Sequence, residues 1–570
     1  MTAWWIFCAL PLVLALRDIE PPPPTPVTRT TPTEGWLTVR LNQFDASNTE
    51  TFQMRYLYNP EFAETSDIVI FVGGEWAISP GWVTGGLAHE LAQRVRGGLF
   101  YTEHRYYGQT RPTKHSSGKF HFKNFVDEWE APNTSTQNSN PKSPHPQPNA
   151  NHWANIDTSA PELRYLNVDQ ALGDLAQFIQ YVKSDSFEGG RFRTGSVALV
   201  GCSYAGSMAT WMRLAYPHLI TVALSDSGPL RAQEDFPEYL EVITEALRVQ
   251  GSEACVSTIE AAMRDIATLL NSTAGVERVS SLFKWWKPLK DGGSSMDESE
   301  EIKHRTQDLS VTCFRTCAPL QPSSPLDVAT FHWFGITETF ASLVQYAKPG
   351  DIATACASLT NQSLSSSPVE RLAAWITSQP STQPCIESRY SMQVTAHSNT
   401  SYDSPQTTMR LWTYQTCVEY GWYQTTTSAR QPFLSAVPLG YFHQMCTDFF
   451  PDLFDVALLK SGVARTNKLF AGLTHLPDHV ISVSGGHDPW SPMAPNTTHA
   501  THLAPVYVVP GVSHCRAIRP TNDSETEELE TTKRQILNQM YMLVTGTKAA
   551  ASTAMLSPLL LVVIGILYLG

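Results

Sequence analysis

Three residues that together can split an acyl bond stand in order along this chain, each just past an apolar run. Val197-Ala198-Leu199-Val200 leads into Gly201-Cys202-Ser203-Tyr204-Ala205-Gly206, and a helical pattern (Met208, Trp211, Met212, Leu214, Ala215) follows at once. A strand, a tight small-residue turn and a helix put Ser203 at the apex, its hydroxyl pushed out above a sheet. Gly201 and Ala205 are small because strand and helix nearly touch there. A serine hydroxyl is a weak nucleophile and needs a base, itself oriented by an acid. Val480-Ile481-Ser482-Val483 reads as a strand, and Ser484-Gly485-Gly486-His487-Asp488-Pro489-Trp490 as the loop after it. Pro505-Val506-Tyr507-Val508-Val509 is the next strand, followed by Pro510-Gly511-Val512-Ser513-His514. Asp488 and His514 thus lie beyond the carboxyl ends of apolar runs, where open α/β sheets carry their sites. The order assigns Ser203 as nucleophile, His514 as general base and then acid, and Asp488 as the group orienting the imidazole. His479 and His487 are nearby competitors, and Asp488-Pro489 also suits a plain turn.

The developing oxyanion needs two donors. One is expected from the backbone N–H of Tyr204 and the other from an early glycine loop. Asp67-Ile68-Val69-Ile70-Phe71-Val72 is an apolar strand, and Gly73-Gly74-Glu75-Trp76 follows it. The second donor stays open among Gly74, Glu75 and Trp76.

These parts belong to an α/β-hydrolase fold, and the rest of the chain must position them. Strand-like runs recur at Ile68–Val72 and Gly98–Thr102, and Val168, Ala171, Leu172, Leu175, Phe178, Ile179 and Val182 have helical spacing. After Ser225-Asp226-Ser227-Gly228-Pro229 a long helical pattern runs from about Phe236 to about Met392, broken by a polar patch at 292–301. It reads as an inserted, mainly helical cap. The expected division is a signal peptide over 1–16, a Pro/Thr-rich leader over 17–35 and a first hydrolase part over 36–230. The cap then spans 231–435, a second hydrolase part 436–545 and an apolar tail 546–570. The leader is expected to be stiff and disordered. Residues 112–161, rich in Pro, Asn and Ser, are expected to form a disordered surface insertion. A closing helix is expected over 525–542.

Several longer segments resemble one group of serine peptidases. They are Gly73-Gly74-Glu75, Glu103-His104-Arg105-Tyr106-Tyr107-Gly108, the elbow with Trp211 and Tyr216-Pro217-His218, Trp412-Thr413-Tyr414-Gln415-Thr416-Cys417 with Glu419, Asp488-Pro489-Trp490, and Gly511-Val512-Ser513-His514-Cys515. The chain resembles the lysosomal Pro-X carboxypeptidase, dipeptidyl peptidase II and thymus-specific serine peptidase family (peptidase family S28), and looks most like its thymus-specific branch. The resemblance runs over roughly residues 35–545. It implies an α/β-hydrolase with a helical cap, peptide substrates cleaved near a chain terminus, often beside proline, and Ser203, Asp488 and His514 as the triad. It also implies that Trp490 walls the pocket for the residue before the scissile bond. Trp76 and Ser207 depart from the family pattern. Trp76 stands where a small residue is usual, which would narrow the oxyanion loop. Ser207 stands at a pocket position where the carboxypeptidase members carry Met, so their proline pocket does not carry over. Arg516-Ala517-Ile518 replaces an often acidic segment, and the extra cysteines of the thymus-specific type are missing after Cys417.

Length, charge and cysteines bound the answer. The 570 residues suffice for one large α/β domain and an inserted one. A formal net charge of −13 without a basic stripe argues against nucleic acid as partner. The apolar start ahead of Arg17-Asp18 reads as a secretory signal, cleaved near Ala15. Of ten cysteines, Cys8 falls in that signal, and Cys202 in the elbow is expected to be a buried free thiol. Cys255, Cys313, Cys317, Cys356, Cys385, Cys417, Cys446 and Cys515 make an even set for disulfides, Cys417 with Cys446 being an attractive pair. Cys313-x-x-x-Cys317 has no second half with ligand spacing, and neither a metal nor a cofactor is expected. Sequons at Asn133, Asn271, Asn361, Asn399, Asn496 and Asn522 are expected glycosylation sites. The tail from Leu556 to Gly570 is apolar with no basic flank, which suits a removed GPI signal better than a retained span. The expected partners are peptides and, through that anchor, a membrane; a homodimer is compatible. The expected place is the secretory route, ending at the cell surface, in a lysosome-like compartment or outside the cell. Two other functions fit the same residues: an esterase or lipase using the triad, and an inactive surface binding protein on a hydrolase scaffold.

Overall fold

The computed structural model describes residues 20–27, 30–112, 157–283, 312–313, 316–322, 324–381, 385–521 and 525–546. The expected signal peptide, most of the 112–161 insertion, the 292–301 patch, Asn133, Asn522 and the apolar tail lie outside them. Among the described residues no helix is long and apolar enough to cross a membrane.

Eight strands form one sheet: β1 (Thr33–Arg40), β2 (Thr51–Asn59), β3 (Ile68–Val72), β4 (Gly98–Thr102), β5 (Val197–Cys202), β6 (Val222–Asp226), β7 (Val480–Gly485) and β8 (Val506–Val509). Their spatial order is β1-β2-β4-β3-β5-β6-β7-β8. The first two pairings, β1 with β2 and β2 with β4, are antiparallel, and the other five are parallel. Parallel strands are covered on both faces and so read as near-continuous apolar runs. Every residue of β3, β4, β5, β6 and β7 is buried accordingly. Helices α1 (Leu87–Val95), α2 (Val168–Val182) and α3 (Tyr204–Ala215) follow strands or precede them as crossovers. Asn167 caps α2 by accepting the Gln170 N–H. This is the α/β-hydrolase fold.

Between β6 and β7 the chain leaves the sheet, and its described residues there are mainly helical. Its helices are α4 (Glu238–Ala246), α5 (Glu253–Leu269), α6 (Thr273–Leu282), α7 (Pro325–His332), α8 (Glu338–Gln345), α9 (Asp351–Thr360) and α10 (Pro368–Ser378). After them come α11 (Tyr390–His397), α12 (Thr407–Gln415), α13 (Leu439–Phe449) and α14 (Val456–Phe470). The helical run therefore extends well past Met392, where the apolar periodicity becomes hard to follow. A closing helix, α15 (Glu527–Thr545), packs against α1, with Arg94 donating to Asn538 at 2.7 Å. An aromatic-rich second core lies under α12 and α13 and takes in Tyr106 and Tyr107 from the hydrolase part.

Among the described residues four disulfides are present: Cys202–Cys515, Cys255–Cys356, Cys317–Cys385 and Cys417–Cys446. The last was expected. The first corrects the reading of Cys202 as a free thiol: β5 and the loop after β8 bring it against Cys515. The even set of eight is therefore wrong in membership, with Cys202 inside it. Bridges of this number fit a chain folded on the secretory route.

The leader also differs from expectation. Residues 20–27 lie on the hydrolase instead of being disordered. The Ser79 N–H donates to Glu20 Oε1 at 3.0 Å and the Trp82 indole to Pro21 O at 2.9 Å. The Arg519 guanidinium donates to Pro22 O at 3.1 Å, and the Val27 N–H to Thr84 O at 2.9 Å. Asn271, Asn361, Asn399 and Asn496 are all exposed.

Candidate active site

The carboxyl ends of β3, β5, β6, β7 and β8 meet at one place. At the end of β5, Ser203 holds φ 56° and ψ −132°, a conformation that non-glycine residues rarely adopt. Its N–H is tied to Asp226 O at 2.9 Å, and α3 starts at the next residue. A Cβ on Gly201 would sit 2.1 Å from Ala205 O, so only glycine lets strand and helix close on each other here.

Asp488 and His514 come together opposite this turn. The loop after β7 is held to the one after β8 by Gly486 N–H to Val509 O at 2.7 Å and His487 N–H to Val512 O at 2.9 Å. Asp488 is fully buried; its Oδ1 pairs with His514 Nδ1 at 2.8 Å and accepts the Trp490 N–H at 3.0 Å. With Nδ1 engaged by a carboxylate, that nitrogen carries the proton and Nε2 keeps its lone pair. His514 Nε2 is buried and has no hydrogen-bond partner. Burial opposes the imidazolium most strongly, yet Asp488, then Asp226 and Glu75, hold His514 above its ordinary pKa. Of the competing histidines, His487 pairs with the Gln250 amide at 2.5 Å, and His479 precedes β7 at the opposite end of the strand.

The glycine loop after β3 brings Glu75 and Trp76 to the same space. Glu75 Oε2 is sealed from solvent without a hydrogen-bond partner, and burial pushes this carboxyl up to about 7. Trp76 turns inward over Gly74, where a Cβ would lie 2.6 Å from the indole, and donates to the Tyr101 hydroxyl at 2.7 Å. The Tyr204 N–H lies at the amino end of α3, where free donors and the helix dipole favour negative charge. Its side chain points down. The hydroxyl sits within 3.2 Å of His104 Nε2, accepts from Gln415 Nε2 at 3.1 Å, and lies 3.4 Å from the Tyr420 hydroxyl.

Other segments singled out in the sequence do structural work below this floor. Arg105 forks onto buried Asp174 with bonds of 2.7 and 2.6 Å. Glu103 accepts from Arg55, Ile78 N–H, Gln109 N–H and Thr110. A Cβ on Gly108, which has φ 59°, would lie 2.1 Å from the Glu103 carboxylate. Glu419 accepts the Val168 N–H at the start of α2, and burial pushes its carboxyl up to about 8.

A cavity of about 510 Å³ opens over the turn, lined by Glu75, Ser203, Trp412, Trp422, Trp490 and His514 among others. That is the usual size and aromatic character of a small-ligand site. Ser207 is not on its wall: one turn into α3, it is fully buried and donates to Pro229 O at 2.7 Å. This corrects its assignment to the substrate pocket. Trp490 does line the cavity, its indole donating to Gln345 Oε1 at 3.1 Å. Sequence reasoning missed Gln345, Asp226 and the Cys202–Cys515 bridge. Only the bridge left a signal, a cysteine beside each of two candidate catalytic residues.

The chain has many relatives. A thymus-specific serine protease from Mus musculus is 26% identical over 89% of this chain and 87% of its own length. A putative serine protease from Caenorhabditis elegans is 24% identical over 88% of this chain and 86% of its own. The lysosomal Pro-X carboxypeptidase of Homo sapiens is 24% identical over 46% of this chain and 44% of its own. Among solved structures, a peroxisomal α/β-hydrolase from Saccharomyces cerevisiae covers 94% of this chain and 95% of its own at 9% identity, with a TM-score of 0.30. The profile of serine carboxypeptidase S28 matches residues 39–125, 152–299 and 285–536. A match of that extent makes the chain a member of the serine carboxypeptidase S28 family of serine peptidases.

Proposed function

We propose that the protein is a serine exopeptidase that trims short peptides near one terminus, using Ser203, His514 and Asp488. The observation that carries this reading is the meeting of an elbow serine, an Asp-bound histidine with a free Nε2, and a cavity over them. Ser203 Oγ attacks the peptide carbonyl while His514 Nε2 takes its proton. Asp488 keeps the proton on Nδ1 and stabilises the imidazolium. The Tyr204 N–H and one N–H of the Gly74–Glu75 loop receive the oxyanion. His514 then returns its proton to the leaving amine, and water, activated by the same nitrogen, releases the acyl group from Ser203. No cofactor enters this sequence.

Restriction to chain ends rests on the roof. Residues of α8, α12 and α13 line the cavity along with Pro21 and Pro22 of the leader, so helical-segment and leader side chains wall it on several sides. Trp490 and Tyr239, 5.6 Å apart edge to face, offer an apolar wall suited to a proline or another compact side chain. The four exposed sequons and the four disulfides favour a glycosylated protein of the secretory route. An active-site-directed fluorophosphonate tests the proposal. Stoichiometric labelling lost in Ser203→Ala supports it, and a folded protein that takes no label overturns it.

A further inference from the structure

The Cys202–Cys515 disulfide joins the residue before Ser203 to the residue after His514, across 313 positions of sequence. Both half-cystines are buried, and both border the cavity. Hydrogen bonds fasten the base loop as well. The His514 N–H donates to Gln345 O at 3.1 Å, the Cys515 N–H to Ser227 Oγ at 2.9 Å, and the Ile518 N–H to Asp226 Oδ2 at 2.9 Å.

The disulfide adds a covalent tie at Cys515 to the hydrogen bond its N–H makes with Ser227. Cys515 has φ 57°, in the left-handed region that favours glycine. A non-glycine residue stays there only where its surroundings over-determine it. Its immediate neighbour is His514, whose ring is held by Asp488. On the other side, Cys202 precedes Ser203, which is itself at φ 56°. One covalent bond therefore ties the strained residue after His514 to the residue that precedes the strained Ser203.

We propose that the Cys202–Cys515 bond is a positioning device that sets His514 against Ser203 and makes acylation depend on its oxidation state; this rests on the triad reading above. A dithiol reductant opens the bond. A thiolate attacks one sulfur to give a mixed disulfide, and the second thiol closes a cyclic disulfide on the reductant. Two electrons thus pass to the protein, which gains two thiols. With the covalent tie gone, the Cys515 N–H leaves Ser227 Oγ, Cys515 relaxes out of the left-handed region and His514 turns away from Ser203. The fold stays, because the Ile518 N–H keeps its bond to Asp226 and the three other bridges lie in the helical segment.

The test compares fluorophosphonate labelling of the full chain with that of a Cys202→Ser, Cys515→Ser double variant, together with kcat and KM on a peptide. The double variant is expected to label at least tenfold more slowly, with kcat lowered alike and KM within twofold. Dithiothreitol is expected to bring the wild type down to the variant's rate, reoxidation to restore it, and the variant to be indifferent to both. A merely structural bridge would lower the folded fraction and leave the rate per folded site unchanged. Should the variant fail to fold, the wild type is reduced in its native state and the opened bridge mapped by alkylation and mass spectrometry. A rate within twofold of wild type after that bridge opens, in either protein, overturns the proposal alone. A wild type that labels no better than Ser203→Ala overturns the triad reading and the proposal with it.

Discussion

The main-chain carbonyl of Gln345, the last residue of α8, accepts the backbone N–H of His514 at 3.1 Å. The Gln345 side chain accepts from the Tyr239 hydroxyl at 2.6 Å and the Trp490 indole at 3.1 Å. The helical segment therefore touches the loops that bear both the proposed base and the proposed acid. Gln345→Ala keeps the main-chain bond and strips two donors of their acceptor. A lost hydrogen bond is worth about 1 kcal/mol, so KM for a peptide is expected to rise about fivefold. Labelling by a small fluorophosphonate, which does not reach that wall, is expected to change little. Parallel steady-state and labelling rates check this.

Glu75 is a second acid beside His514, and its charge helps hold the imidazole above its ordinary pKa. The active form needs neutral His514, so labelling is expected to rise with pH through that pKa. Glu75→Gln removes a negative charge and lowers the pKa of His514. The acid limb of the labelling profile is therefore expected to move to lower pH. Because the two groups titrate together, the profile reports the pair and not either residue. An unmoved or upward-shifted limb contradicts the arrangement.

Glu419 predicts a pH effect on stability. Its folded pKa of about 8 lies above the 4.5 of an exposed glutamate. A group raised in this way contributes fully below the unfolded pKa and loses its contribution as pH rises through the folded one. The loss should run from pH 4.5 to 8 and amount to about 3–5 kcal/mol at most, at about 1.4 kcal/mol per unit. Relative to wild type, Glu419→Gln is expected to gain stability on going from pH 5 to pH 8. Urea melts at the two pH values decide it.

The buried Arg105–Asp174 pair should behave as such pairs do. Arg105→Met leaves an unpaired carboxylate in the core and is expected to cost about 3–5 kcal/mol. Adding Asp174→Leu is expected to recover much of that. If the single and double variants melt alike, Asp174 is not the group that Arg105 neutralises.

The elbow and the two loops were readable in the sequence because each rests on local pattern: a short apolar run, then small or polar residues bearing the reacting group. Strands β3, β4, β5, β7 and β8 followed for the same reason, while β1, β2 and β6 did not stand out. Ser207 misled because a helical position four residues past the nucleophile can face the substrate or the sheet, and the tilt of α3 decides which. Cys202 misled because an apolar strand suggests a buried thiol, and its partner lies beyond any local window. The leader's composition says that it cannot build a core. It does not reveal that the 79–84 segment and Arg519 provide a surface for its prolines.

The central claim is that Ser203 trims peptides at one end. The most direct test is mass spectrometry of products from a mixed peptide library, comparing the mature protein with Ser203→Ala at acidic and neutral pH. Half of the library should have blocked amino ends and half blocked carboxyl ends. The account predicts Ser203-dependent shortening from a single terminus, abolished when that terminus is blocked. Internal cleavage indifferent to both blocks, or no cleavage by a folded protein, would contradict it.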